Sequence, residues 1–234
     1  MFCKNEMEYE DLFAILSKFV VDPFKVYVYG GFIRDRMTNE RPTDADIKFT
    51  APGQFPASQE VFDKYYSEYT NIVNKFIEET KKTYNVESTN VEVKVREYRT
   101  VVNKIQLGEF HFDISLEILR THTDVVMEDV DMSCNCLKAT LSDLSKITLI
   151  WERTSAGSNL TSAEKDVYLR QAVDDIRNKR IRIIASEFRL HRKMEERIRK
   201  MINRGWSYIP IGKGNEGLRL DKIFCLGENP TKSS

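Results

Sequence analysis

The chain has 234 residues, 41% of them hydrophobic, enough for one large or two small domains with a proper core, which excludes an intrinsically disordered polypeptide. Its 36 Lys+Arg and 36 Asp+Glu give a formal net charge of zero, so bulk charge does not make it a nucleic-acid-binding polycation, and any such binding has to come from a local patch. Four cysteines (Cys3, Cys134, Cys136, Cys225) without a C-x-x-C pair, and three histidines, make a poor zinc set and read as reduced thiols. No apolar run reaches the roughly 18 residues of a membrane span, and the acidic start MFCKNEMEYEDLF is not a secretory leader. A soluble, cytoplasmic protein with no membrane partner is expected.

In chain order, Leu12, Phe13, Leu16, Phe19 and Val20 recur at helical spacing until Pro23, which predicts an amphipathic helix. KVYVY (25–29) reads as a strand that runs into Gly30-Gly31 and a helical FIRDRM, and after the turn-rich 38–43 comes a strand, DADIKF. Its alternation sets Asp44 and Asp46 on one side and Ala45 and Ile47 on the other. Residues 59–84 repeat apolar and tyrosine positions three and four apart, which predicts a long helix with its tyrosines in the core. Extended segments follow around Val91-x-Val93-x-Val95 and on to Leu107, then FHFDISL, with Phe112, Ile114 and Leu116 facing one way and His111, Asp113 and Ser115 the other. Beyond a loop with Thr121, Thr123 and Asp124, DMSCNCLKATL reads as a short helix and KITLIW as a strand. TSAGSN is linker-like, placing a boundary near 158. One or two basic helices over 163–204 and an irregular tail complete the chain. Residues 1–162 carry a net charge of −7 and residues 163–234 one of +7, which suggests an acidic metal-holding front and a basic phosphate-facing back, or simply helix surfaces of unequal composition.

The chemistry concentrates in three carboxylates and a turn. Asp44 and Asp46, two apart on a strand, reach the same side, and Asp113 supplies a third oxygen ligand if its strand is a neighbour. Three crowded anions raise one another's pKa, and a bound Mg²⁺ reverses that preference. Gly30-Gly31, at a strand-to-helix turn, offers unhindered backbone N–H groups to a phosphate, and Arg34 adds a charge-assisted contact unless it simply pairs with Asp35.

Residues 29–52, YGGFIRDRMTNERPTDADIKFTAP, resemble the signature of the bacterial and eukaryotic class of poly(A) polymerases and tRNA CCA-adding nucleotidyltransferases, in the DNA polymerase beta superfamily. The pattern is G-G-x-x-R-D, eight residues, then D-x-D, and the chain fits it without a gap. Asn39-Glu40 stands where the family has Gly-Arg; Asn tolerates the left-handed turn, and the basic residue is lost unless Arg41 substitutes. VDMSCNCL (130–137) resembles the R-R-D-x-x-x-N segment, with Asp131 and Asn135 in place and both arginines absent. AVDDIRNKRIR (172–182) resembles G-x-x-D-L-x-x-x-x-I-R and aligns Asp175 and Arg182, and EFRLHRKMEER loosely echoes the base-selecting segment through Arg189 and Arg192. The likeness spans roughly 25–195, strong at its start and weak at its end.

The resemblance implies an α+β fold, with a polymerase-beta-like nucleotidyltransferase head (a mixed sheet with helices) over 1–158 and a helical basic neck and short tail over 159–234. It also implies a nucleotide site at Gly30, Gly31, Arg34, Asp131, Asn135, Asp175, Arg182, Arg189 and Arg192. Two Mg²⁺ ions held by Asp44 and Asp46, with Asp113 on the inner one or acting as a base, would assist transfer of AMP or CMP from ATP or CTP to the 3′ end of tRNA or another RNA. Residues 177–204 carry a net charge of +8, which fits either an RNA phosphate track or a solvated helix face. Trp206 and Tyr208 either stack a base or plug the tail into the core. A small-molecule or protein acceptor, and a binding module without turnover, are the other readings; the intact D-x-D pair argues against the last.

Overall fold

The computed structural model describes residues 7–53, 58–95, 100–119, 130–150, 160–183 and 192–209. The expected α+β class is found. A mixed seven-stranded sheet in the order β3-β4-β5-β2-β1-β6-β7 is built from β1 (Lys25–Tyr29), β2 (Ala45–Pro52), β3 (Ser88–Val95), β4 (Thr100–Leu107), β5 (Phe110–Leu119), β6 (Leu137–Thr140) and β7 (Asp143–Leu149). All neighbours pair antiparallel except β2 and β5, which run parallel. Among the described residues no helix is long and apolar enough to cross a membrane.

Period-two alternation gives the sheet two unlike faces. Val26, Val28, Ala45, Ile47, Phe49, Phe112, Ile114, Leu116, Leu137 and Ala139 are buried on one. Helices α1 (Tyr9–Ser17), α2 (Gly31–Met37) and α3 (Gln59–Tyr84) bury their apolar sides in the same core. Tyr9 meets Phe32, Phe110 and Phe112 edge-on, with ring centroids 5.2, 4.8 and 5.4 Å away, the geometry favoured by the ring quadrupole. The tyrosine stripe of α3 belongs to this core as expected: Tyr69 is fully buried and donates its hydroxyl proton toward Asn103 Oδ1 and the Ile114 carbonyl, both at 2.7 Å. The opposite face carries Tyr29, Asp46, Lys48, Asp113 and Lys138, all less buried than their strand neighbours.

Local capping sets the helix ends. Ser58 Oγ accepts from Val61 N–H at the start of α3, whose exit is Asn85 in the left-handed conformation (φ 54°). Thr161 and Glu164 form a capping box at the start of α4 (Ser162–Arg177). The basic α5 (Arg192–Asn203) and a two-stranded ladder of β8 (Arg180–Ile181) with β9 (Ser207–Tyr208) complete the described chain.

The segment DMSCNCLKATL corrects the expectation of a short helix. Only Ser133–Asn135 form a 3-10 turn, and Leu137–Thr140 are strand β6. The alternation Leu137 in, Lys138 out, Ala139 in lets this stretch fill the place between β1 and β7, and tertiary pairing overrides local helix preference. The expected boundary near 158, the loop Thr121–Asp124 and Arg189 lie outside the described residues. Cys134 and Cys136 are buried free thiols.

Candidate active site

Strand register assembles the acidic groups. Across the open face the Cα partners form one row: Lys104 on β4, Asp113 on β5, Asp46 on β2, Tyr29 on β1 and Lys138 on β6. Asp46 and Asp113, distant in sequence, are thus register partners on parallel neighbours, the adjacency the sequence required. Asp44 immediately precedes β2 and is exposed. Burial, and then the charges of Asp44 and Asp113, push the Asp46 carboxyl up to about 6, against the opposing pull of Arg197 and Lys104. Lys104 Nζ lies 2.8 Å from Asp113 Oδ2, so a lysine already partners the third carboxylate.

At the end of β1 the chain turns into α2 through Gly30, with φ 68° and ψ −127°, a conformation that a side chain would strain. A Cβ there would also sit 3.7 Å from Asp46 Oδ2. The Gly30 N–H donates to the Leu137 carbonyl (3.0 Å), tying the turn to β6. Arg34, one turn into α2, is buried: its Nε donates to Asp35 Oδ1 at 2.7 Å and its Nη1 to Asn135 Oδ1 at 2.7 Å, and its Cζ lies 5.7 Å from the centre of the Trp206 ring. Arg34 thus pairs with Asp35, as one of the two expectations had it, and also lines the cleft.

These groups line a cleft of about 390 Å³ that contains Gly30, Gly31, Arg34, Asp44, Asp46, Asp131 and Asn135. That volume is of the order of a small-ligand site. Asp131 is ion-paired to Arg197 and accepts from Asn135 Nδ2 at 3.4 Å. Asp175 and Arg182 are not in the cleft. Asp175 is fully buried and accepts from Ser133 Oγ (3.0 Å) and Arg182 Nε (2.9 Å), a brace that fixes the 3-10 turn carrying Asn135. Arg192 begins α5, and its side chain lies outside the described residues.

Sequence reading missed that α5, through Arg197 and Lys200, and Arg204 just beyond its end form one wall of the cleft. These cations counted toward an RNA track, and the signal for their true placement was the amphipathic pattern of α5, whose Met194, Ile198 and Met201 are buried and therefore orient the helix. Trp206 is buried, in line with its plugging role.

Two carboxylates at the cleft, one of them carrying an elevated pKa caused partly by the other, are oxygen donors suited to a hard divalent cation, so Asp44 and Asp46 fit Mg²⁺. Among the described residues no group of three His, Cys, Asp or Glu side chains is placed to hold a metal, in keeping with the engagement of Asp113 by Lys104.

No family model matches the chain, and no curated protein matches it. Among solved structures it is similar to a CCA-adding enzyme in complex with CTP, at 16% identity and a TM-score of 0.49 over 94% of this chain. The Thermotoga maritima CCA-adding enzyme complexed with tRNA-CCA gives 16% identity and 0.48 over 89%, and the Bacillus stearothermophilus CCA-adding enzyme in complex with CTP gives 13% and 0.44 over 87%. The chain spans 43%, 41% and 40% of those three chains, respectively.

Proposed function

We propose that the chain is a metal-dependent, template-independent RNA nucleotidyltransferase with a polymerase-beta-like head, moving AMP or CMP from ATP or CTP onto an RNA 3′-hydroxyl in the manner of a tRNA CCA-adding enzyme or poly(A) polymerase. The observation that carries this reading is the convergence of the Gly30-Gly31 turn, Arg34, Asp44 and Asp46 on one cleft, in the spacing of the G-G-x-x-R-D and D-x-D motif. Mg²⁺ held by Asp44 and Asp46, with Asp113 alongside, would neutralise the phosphates and acidify the acceptor hydroxyl. In this reading Arg34, Arg197, Lys200 and Arg204 would meet the triphosphate, the glycine turn would leave room for its oxygens, and Asp131 and Asn135, which line the same cleft, would offer a ribose hydroxyl an acceptor and a donor.

A specific observation favours a second reading, transfer to a small-molecule or protein acceptor: Arg197, Lys200 and Arg204 turn into the cleft, so fewer cations of the basic segment remain for an external RNA track. Incubation with each labelled NTP, Mg²⁺ and tRNA lacking its terminal trinucleotide separates the two. Labelled RNA is the expected result, labelling of a small molecule or protein alone supports the second reading, and no transfer to any acceptor overturns both. Asp44→Ala or Asp46→Ala is expected to abolish incorporation with the far-UV circular dichroism unchanged.

A further inference from the structure

Glu40 leaves the turn after α2, at the place where the resembled pattern has a basic residue, and it lies outside the lining of the cleft. Its Oε1 accepts from Lys179 Nζ at 2.7 Å and its Oε2 from Arg204 Nη2 at 2.6 Å. Arg204 Nη2 is also 3.0 Å from Asp35 Oδ1, the oxygen that accepts from Arg34 Nε. An unbroken ionic chain therefore runs Lys179, Glu40, Arg204, Asp35, Arg34, and a hydrogen bond from Arg34 to Asn135 carries it from the α4–β8 turn, α2 and the end of α5 into the cleft.

The backbone at this clamp is equally specific. Asn39 (φ 56°) precedes Glu40, Lys179 itself has φ 48°, and Gly205 (φ 84°) follows Arg204. The left-handed conformation at Lys179, which residues other than glycine seldom adopt, fixes the direction in which the α4–β8 turn presents its ammonium to Glu40. Its consequence is geometric. Arg204 immediately follows α5 and joins its end to Asp35 and Glu40, as Arg197 joins the helix to Asp131, and Arg197, Lys200 and Arg204 follow one another along the wall of the cleft.

We propose that Glu40 is a positioning residue which, through Arg204 and Lys179, sets α5 over the cleft so that Arg197, Lys200 and Arg204 face the phosphates of the incoming nucleotide. The inference rests on the nucleotidyltransferase reading and assigns to Glu40 a role in nucleotide affinity rather than in the transfer step. Removing its charge while keeping its size lets α5 drift, and Lys200 then loses its purchase on the phosphates.

The test is calorimetric titration of the full chain with ATP and with inorganic tripolyphosphate, for wild type, Glu40→Gln, Lys200→Gln and the double variant. Glu40→Gln and Lys200→Gln are each expected to raise Kd about five- to tenfold for both probes, with kcat for Glu40→Gln kept within about twofold. The double variant is expected to be little worse than either single one, since residues acting through one contact are non-additive. Lys179→Gln weakens binding in the same direction by less. In a Trp151→Phe background, Trp206 is the one remaining tryptophan, and its emission is expected to shift in Glu40→Gln because α5 carries Gly205 and Trp206 with it. Unchanged Kd in Glu40→Gln, or effects of Glu40→Gln and Lys200→Gln that multiply independently, overturns the inference while leaving the proposed function standing. Wild type that binds neither probe overturns both.

Discussion

Asp46 is a strained carboxylate of the cleft, and the sign of that strain sets two measurable behaviours. Because its folded pKa, about 6, lies above the ordinary aspartate value of 3.8, the folded protein holds its proton more tightly than the unfolded chain does between those values. The ionised form therefore destabilises the metal-free protein fully above about pH 6, and the penalty fades as pH falls toward 3.8. Asp46→Asn is expected to raise Tm in the presence of a chelator at neutral pH, with the gain disappearing in acid, while incorporation is lost; a lower Tm at neutral pH would contradict the charge crowding. Glu40 has the opposite sign. The hydrogen bond from Lys179, aided by Arg204, holds its carboxyl below its usual 4.5, so its contribution is present above that value and is lost as pH falls through the lowered one. Glu40→Gln is thus expected to lower Tm modestly at neutral pH and to match wild type in strong acid, as followed by thermal melts across pH.

At the level of elements, the contact between α3 and the sheet centres on Tyr69, whose buried hydroxyl meets Asn103 and the Ile114 carbonyl. Tyr69→Phe leaves both without that donor and is expected to cost about 1–3 kcal/mol in urea unfolding, with no change in nucleotide affinity. The long helix, its tyrosine core face and the strands KVYVY, DADIKF and FHFDISL were legible because periods of 3.6 and 2 are local signals. Asp113 beside Asp46 was legible only as a condition, since side-chain alternation states the face but not which strands are neighbours. Leu137–Thr140 was misread because four residues of alternation cannot outweigh the helix-like spacing around them until β1 and β7 are present to pair with. The links of Glu40 to Lys179 and Arg204 join residues 139 and 164 positions apart and leave no trace in local sequence.

On the scale of the whole molecule, the sheet is deepest at β5, β2 and β1 and ends at β3, where Val91 and Val93 are 59% and 42% exposed. Hydrogen exchange is expected to be slowest in β2 and fastest, among the strands of the large sheet, in β3; equal protection across the sheet would argue against this strand order. ATP at a hundred times its Kd is expected to stabilise the protein by about 2.7 kcal/mol, read as a rise in Tm. The parallel pairing of β2 with β5 adds a temporal consequence. Parallel neighbours need a crossover, here made of α3, β3 and β4, so the two halves of the acidic row come together only by a long-range closure. During synthesis, a ribosome that has released the whole G-G-x-x-R-D and D-x-D stretch has still not made the Asp46–Asp113 pair. That pair forms only once β5 has emerged and docked, so the growing polypeptide carries the motif well before it carries the site.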